Sequence, residues 1–365
     1  MNDHSRFPTL TLLIHAKMAA FEWGKVAINS FRRHAARNKF TVRSVYHWQE
    51  VSYADPLVIL IGVDESWLNE ALENLDPQQQ RIVLLYDNQS RRHERISRVL
   101  EGQEVLVKEC LQLLARRGRT RPAFFGVQQN DVSDEAKAAE FARLISPKDV
   151  YCVVDQLDNC FHQFITHLDR YDSVICANDI MAVYLLGRCR EQNIPVPERL
   201  MMIGNGNLWL GAHVTPALTT ISYDADAMAS VTVQLCKNLL IHNNLAAVDI
   251  RLAGDLLERG STGGTPGEQK IFTSGRDLYR CTTCQEILPE IDRIRSIDRV
   301  LSACSSTQKA ILQLLAEGRS YGSIAETVGL SCDAVKYHVK KLYKHLEIHS
   351  KDELASLFRY YGICL

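Results

Sequence analysis

The chain has 365 residues, 46% of them hydrophobic and 23% charged, with a formal net charge of −1. That length exceeds one small module and suits two or three domains with ample core, while the near-neutral balance excludes a whole-molecule pull toward nucleic acid, so any basic surface must be local. No stretch approaches about 18 uninterrupted apolar residues and the opening MNDHSRFPTLTLLIHAK lacks a basic segment followed by a long apolar run, which excludes a membrane partner and points to the cytoplasm. The eleven scattered cysteines read as reduced core thiols rather than a disulfide framework.

From about residue 8 to 262 short apolar strands alternate with amphipathic helices. The first run is LTLLIHA, a helix through Phe31, VILIGV, helix 65–74, IVLLYD and helix 101–117; the second is AFFGV, helix 133–145, YCVVD, helix 158–169, VICA, helix 179–192, MMIG and helix 224–242, with a last strand near Asp255 to Glu258. Alternation of this kind predicts a parallel α/β architecture. More than seven strands arriving in two runs fit two doubly wound lobes better than one sheet.

Gly263-Gly264-Thr265-Pro266-Gly267 then marks a linker, and the segment 263–303 ends on a helical stripe of Leu288, Ile291, Ile294, Ile297 and Leu301 that either pairs subunits or docks onto a lobe. Cys281 and Cys284 form a lone CxxC whose zinc reading would need two more ligands at sensible spacing, and no metal is assigned. Residues 304–365 spell four short helices. Ser305 with Gln308 and Ser350 with Glu353 fit the capping box, Gly318 fits a C-terminal cap, and Gly329-Leu330-Ser331 is a tight turn ahead of a longer helix with Ser331 at its N-cap. On that helix Val335, Val339, Leu342 and Leu346 form one stripe, and Lys336, Tyr337, Lys340, Lys341 and Lys344 occupy the other side. Lysines at i, i+4 and i+8 suit a DNA major groove, although a lysine face taken alone is usually just a solvated one.

The stretch IAETVGLSCDAVKYHVKKLYKHLEI resembles the LuxR-type helix-turn-helix. The resemblance implies double-stranded DNA as partner, base contacts from Lys336, Tyr337 and Lys340, and a homodimer paired through the last helix, here Leu354, Leu357, Phe358 and Tyr361. Three departures stand out: Ala334 occupies the place of a usual Thr, Thr307-Gln308 that of Arg-Glu, and Glu347 that of a usual Gly. Upstream, AND at 177–179 with Ala182, PALTT at 216–220 and RGST at 259–262 are similar to motifs of the effector-binding core of the lactose and galactose repressors, and GRTRPAFFGV at 118–127 resembles a further stretch of it. That likeness implies a two-lobed periplasmic-binding-protein fold over 1–262, a connector over 263–303 and an all-α head over 304–365.

Open α/β sheets bind ligands at the carboxyl ends of their strands, and two lobes make that edge a cleft. The resemblance makes Asp179 the anchor for a hydroxyl of a carbohydrate-like effector, with the alternative that Asp179 or Asn178 only caps its helix. Asn205 and Asn207 flank Gly206, which stands where many members have a binding aspartate, and Lys137 stands near a usual clamping arginine. His15, Phe21 and Glu22 would line the opposite wall, and Trp209 either stacks on a sugar or packs in a core. No GxSxG, P-loop, HExxH or GxGxxG occurs, so neither catalysis nor a cofactor is expected. A ligand-responsive regulator, a constitutive DNA-binding protein with a degenerate pocket and, third, an α/β enzyme are the readings the sequence leaves.

Overall fold

The computed structural model describes residues 7–20, 22–62, 65–77, 79–85, 95–128, 131–242, 244–264 and 289–365. In chain order these form β1 (Thr9–Ile14), α1 (Ala16–Ala20), α2 (Glu22–Arg37), β2 (Thr41–Val45), β3 (Leu57–Ile61), α3 (Glu65–Asn74), β4 (Arg81–Leu85), β5 (Ile96–Glu101) and α4 (Gln103–Arg116). There follow β6 (Pro122–Gln128), α5 (Val132–Leu144), β7 (Val150–Val153), α6 (Leu157–Ile165), β8 (Ser173–Cys176), α7 (Asp179–Glu191), β9 (Met201–Asn205), α8 (Trp209–Ala212), β10 (Thr219–Ser222), α9 (Ala225–Ile241), β11 (Asp249–Leu252) and β12 (Asp255–Leu257). Five helices close the chain: α10 (Pro289–Ala303), α11 (Ser306–Ala316), α12 (Tyr321–Val328), α13 (Cys332–Leu346) and α14 (Lys351–Tyr361).

Two compact units result, Met1–Leu106 with Tyr223–Gly254, and Val107–Ser222 with Asp255–Leu365. In the first, a parallel sheet runs β11-β5-β4-β3-β1-β2. Alternate residues of its strands supply the two faces: Leu10, Leu12, Ile14 and Ile59 pack with Phe31 of α2 and Val233 of α9, while Leu13, Val58, Leu60 and Ile82 pack with Leu68 and Ala71 of α3. A sheet covered on both faces needs strands apolar on both, which is why LVILI and IVLL read as unbroken hydrophobic runs. Four strands escape the sequence reading: β2, β5, β10 and β11 are TVRSV, ISRVLE, TTIS and DIRL, whose arginines, serines and threonines break the apolar run.

The second unit holds the sheet β12-β10-β9-β8-β6-β7, parallel except where β12 runs antiparallel to β10. The head belongs to this unit. One apolar core continues from Phe125 and Val174 of the sheet through Leu185 of α7 and Ile294 of α10 to Leu312, Val339 and Leu357 of the head. The division into compact units therefore runs differently from the division into sequence segments. On α7 the residues Ile180 to Gly187 and Cys189 are all buried, so this helix is apolar on every side. A helix of that kind is covered on every side: α7 contacts β8 and β9, and it also contacts α10 and α14. Ile291, Ile294, Ile297 and Leu301 of α10 are each at most 2% exposed, and burying four such side chains contributes about 1.5 to 3 kcal/mol apiece. Of the two roles open to that stripe, the structure shows docking within the chain. Among the described residues no helix is long and apolar enough to cross a membrane, and Cys281 and Cys284 lie outside those residues.

Candidate functional site

At the carboxyl edge of the second sheet, β8 delivers Asn178 and Asp179 to the start of α7. Asn178 is the N-cap, its side chain accepting from Met181 N at 3.1 Å, so of the two capping candidates it is the asparagine that caps. Asp179 has another role. It is 1% exposed, and its carboxylate accepts from Leu208 N at 2.6 Å and from the Thr220 hydroxyl at 2.6 Å. Burial pushes its pKa up to about 6, against the opposing pull of Thr220, Leu208 N and the Arg259 charge. The residue expected to anchor an effector is thus enclosed, and it fixes the backbone that leaves β9.

That backbone turns at Gly206 (φ 121°) and Asn207 (φ 51°). Asn207, also expected at a ligand, instead reaches Ser222 Oγ at 3.3 Å and accepts from Arg259 at 2.7 Å. Arg259 donates as well to Leu218 O at 2.9 Å, and Thr219 exchanges hydrogen bonds with Arg259 and Thr262. The LTT and RGST motifs are consequently a clasp between β10 and the turn at 260–262. Lys137, 2% exposed, pairs with Asp134 at 3.1 Å and donates to Ala177 O, so it has no free face for a clamping role. The Asp134 carboxyl is pushed up by burial and by the neighbouring Asp131 charge, with Lys137 acting against both. Two side-chain oxygens at this edge are left unpaired: Gln128 Oε1 at the end of β6 and Asn205 Oδ1 at the end of β9 are buried with no hydrogen-bond partner among the described residues. Gln128 carried no motif, and its only sequence signal is a polar residue closing an apolar strand.

Trp209 is not a sugar platform in this arrangement. Its ring stacks on His213 at 3.7 Å between centroids and lies under the Lys309 ammonium at 4.4 Å, in the contact between α8 and the head. In the first unit His15 follows directly on β1 and its ring lies 5.0 Å from Trp67. Phe21 is outside the described residues and Glu22 begins α2.

In the head, Ser305 and Gln308 form the expected capping box, while Ser350 accepts from Glu353 N and the Glu353 carboxylate turns to His349 N. Gly329 takes the left-handed conformation (φ 68°) that ends α12, and Ser331 caps α13 by accepting from Ala334 N. Val335, Val339, Leu342 and Leu346 are buried, and Lys336, Lys340, Lys341, Lys344 and Tyr337 are exposed. A hydrogen bond from Lys336 to Asp333 raises the lysine's pKa, so it stays charged near neutrality. The last helix departs from expectation. Leu354, Leu357, Phe358 and Tyr361 are at most 5% exposed within one chain, where α14 packs against α7 and α11. As placed, these side chains are already covered and present no face to a second subunit.

Comparison with known proteins follows the same division. Residues 111–262 match the periplasmic binding protein-like domain, and residues 302–358 match the luxR family of bacterial regulatory proteins. The two matched domains are of kinds found in bacterial regulatory proteins. The chain joins a periplasmic binding protein-like domain to a C-terminal LuxR-type helix-turn-helix. Among curated proteins it resembles the HTH-type transcriptional repressor PurR of Salmonella paratyphi B, at 27% identity over 108 residues, 30% of this chain. The chain spans about a third (32%) of that relative's length. Among solved structures it resembles the transcriptional regulator CelR in complex with cellobiose, with a TM-score of 0.55 and 17% identity over 70% of this chain and 85% of that one. It also resembles a LacI family regulator from Arthrobacter sp. FB24 in complex with lactose, with a TM-score of 0.51 and 17% identity over 70% of this chain and 99% of that one. At these identities the likeness establishes the fold alone.

Proposed function

We propose that the chain is a transcriptional regulator that binds double-stranded DNA through α13 and responds to a small hydroxylated, carbohydrate-like metabolite held at the strand edge of its periplasmic-binding-protein-like domain. The observation that carries the first half is the exposed face of Lys336, Tyr337, Lys340, Lys341 and Lys344 on the second helix of a helix-turn-helix, backed by a buried stripe that keeps it facing outward. Ammonium groups spaced one turn apart reach phosphates and guanine edges along one groove wall. Lys336→Ala and Lys340→Ala should each weaken binding to duplex DNA from the protein's own promoter region by about 1 to 3 kcal/mol, with unchanged circular dichroism. Wild-type affinity in both variants would remove the groove assignment.

The effector half rests on Gln128 Oε1 and Asn205 Oδ1, two buried acceptors without a hydrogen-bond partner among the described residues, and on the cellobiose and lactose of the structural relatives. Sugar hydroxyls are donors of the required kind. Asp179 and Lys137, satisfied inside the protein, favour the competing reading of a constitutive DNA-binding protein. Thermal shift of the full chain against a carbohydrate and metabolite panel separates the two: a ligand that stabilises the wild type and loses affinity in Asn205→Ala supports sensing, and silence across the panel supports the constitutive reading. Two heads per operator belong to the proposal, because one head with few contacts binds too weakly for a unique site. Light scattering of the protein with and without operator DNA measures that stoichiometry, and one chain per site would refute it.

A further inference from the structure

Helix α8 is gripped by two buried carboxylates that come from different parts of the second unit. Asp179, at the strand edge, accepts from Leu208 N at 2.6 Å; Asp298, on α10 and 3% exposed, accepts from Leu210 N at 2.6 Å. Between those two amides lies Trp209, with the Lys309 ammonium of α11 over its ring. Just beyond, His213 O accepts from Cys364 N at 2.9 Å, Thr215 N donates to Gly362 O at 2.9 Å, and Val214 bridges Ile363. Arg190, near the end of α7, donates to both Tyr360 O and Thr215 O. The segment 208–215 therefore touches the strand edge on one side and the connector helix, the first head helix and the chain terminus on the other.

Four residues are too few for a helix to hold itself, since nucleation alone is unfavourable at that length. The position of α8 is thus set by its tethers, of which the two charge-assisted bonds to Asp179 and Asp298 are the strongest. We infer that α8 is the relay between the effector edge and the DNA-binding head, with Asp298 as the positioning residue on the head side. A disturbance of Asp179 or of its partner Thr220 moves Leu208, Leu210 follows two residues on, and Asp298 transmits the change to α10 and α11. The inference rests on reading that edge as the effector site, but its mechanical content is testable with neither effector nor DNA.

The experiment is hydrogen–deuterium exchange of the full chain, read at residues 208–216 and 289–316. Thr220→Val removes one of Asp179's partners and touches no part of the head. It should speed exchange in both windows by roughly fivefold, the change in opening equilibrium expected from one lost hydrogen bond of ordinary net strength. In an Asp298→Ala background the same substitution should speed exchange only at 208–216, and Asp298→Asn, which keeps an acceptor oxygen, should restore the response at 289–316. Tyr151→Phe is the control: it removes a buried Tyr151–Tyr171 hydroxyl contact of 2.9 Å in the same unit, away from α8, and should leave 289–316 at wild-type rates. The relay is overturned if Thr220→Val alters 208–216 alone, if Tyr151→Phe speeds 289–316 equally, or if the response survives in Asp298→Ala. Failure of the effector reading would show elsewhere, as a metabolite panel that leaves both melting temperature and DNA affinity unmoved.

Discussion

Asp179 shows how one residue type serves two different ends at the same place. A carboxylate at a strand edge is good chemistry for hydroxyl ligands, yet here its oxygens go to Leu208 N and Thr220 while burial raises its pKa from 3.8 to about 6. A carboxyl whose folded pKa is raised contributes stability that is fully present below about pH 4 and is lost as pH climbs through about 6. A shift of that size corresponds to about 3 kcal/mol. Asp179→Asn keeps the shape, its amide oxygen accepting from Leu208 N while the Thr220 hydroxyl reverses. The difference in unfolding free energy between wild type and variant should therefore fall by that order between pH 4 and pH 7, measured by urea denaturation; a constant difference would show that Asp179 does not titrate in that window. Glu347 offers a second residue-scale case. It ends α13 in the left-handed conformation (φ 55°), which costs a side chain with a Cβ about 1 kcal/mol relative to glycine. Glu347→Gly should raise the denaturation midpoint of the head accordingly, and no gain would mean that the glutamate has a compensating contact.

At the scale of elements, helices α3, α4, α5, α7 and α9 are legible in the sequence to within a few residues because each carries an uninterrupted periodic or apolar run. The head is equally legible, because its caps are written in Ser305, Ser331 and Gly329. What was not legible is who covers whom. The stripe Leu354, Leu357, Phe358, Tyr361 has the same pattern whether it meets a second subunit or the chain's own α7, since periodicity specifies a buried face and not its occupant. The sequence did hold one signal of the answer, in IMAVYLLG of α7, which lacks the polar side that a helix on an open sheet edge would show. Gly187 on that helix tests the packing. A Cβ there would lie 2.7 Å from the Tyr360 ring, so Gly187→Ala should destabilise the contact even though alanine favours a helix by about 1 kcal/mol. Combined with Tyr360→Ala the clash is gone and the helix gain remains; a double-mutant cycle in thermal unfolding should show Gly187→Ala harmful alone and favourable in the Tyr360→Ala background. Additive effects would mean that α14 does not rest on α7 at this point.

For the whole molecule, the joint core of the second unit alters what it means to isolate the sensor. A chain with a binding domain and a reading head suggests two modules on a linker, each able to stand alone. Here the head completes the lobe: α10 and α14 supply the second cover of α7, with Ile291, Ile294, Leu357 and Tyr361 buried together with Leu185 and Leu186. Arg190 donates to Tyr360 O across that contact and to Thr215 O within the lobe. A chain ending at residue 264 would leave that side of α7 in water, a contiguous apolar patch of the kind that drives association. Such a truncation should therefore melt well below the full chain, bind an apolar dye such as anilinonaphthalene sulfonate, and self-associate in light scattering, whereas the full chain should do none of these at the same concentration. The converse fragment, 289–365, should be helical yet expose the apolar faces of α10 and α14. Mixing the two fragments should suppress dye binding and raise the melting temperature, because the interface that held them in one chain is still complementary. A truncated sensor that is monomeric, dye-silent and as stable as the full chain would show that the head is a separate module after all, and that its docking on α7 contributes nothing to the lobe.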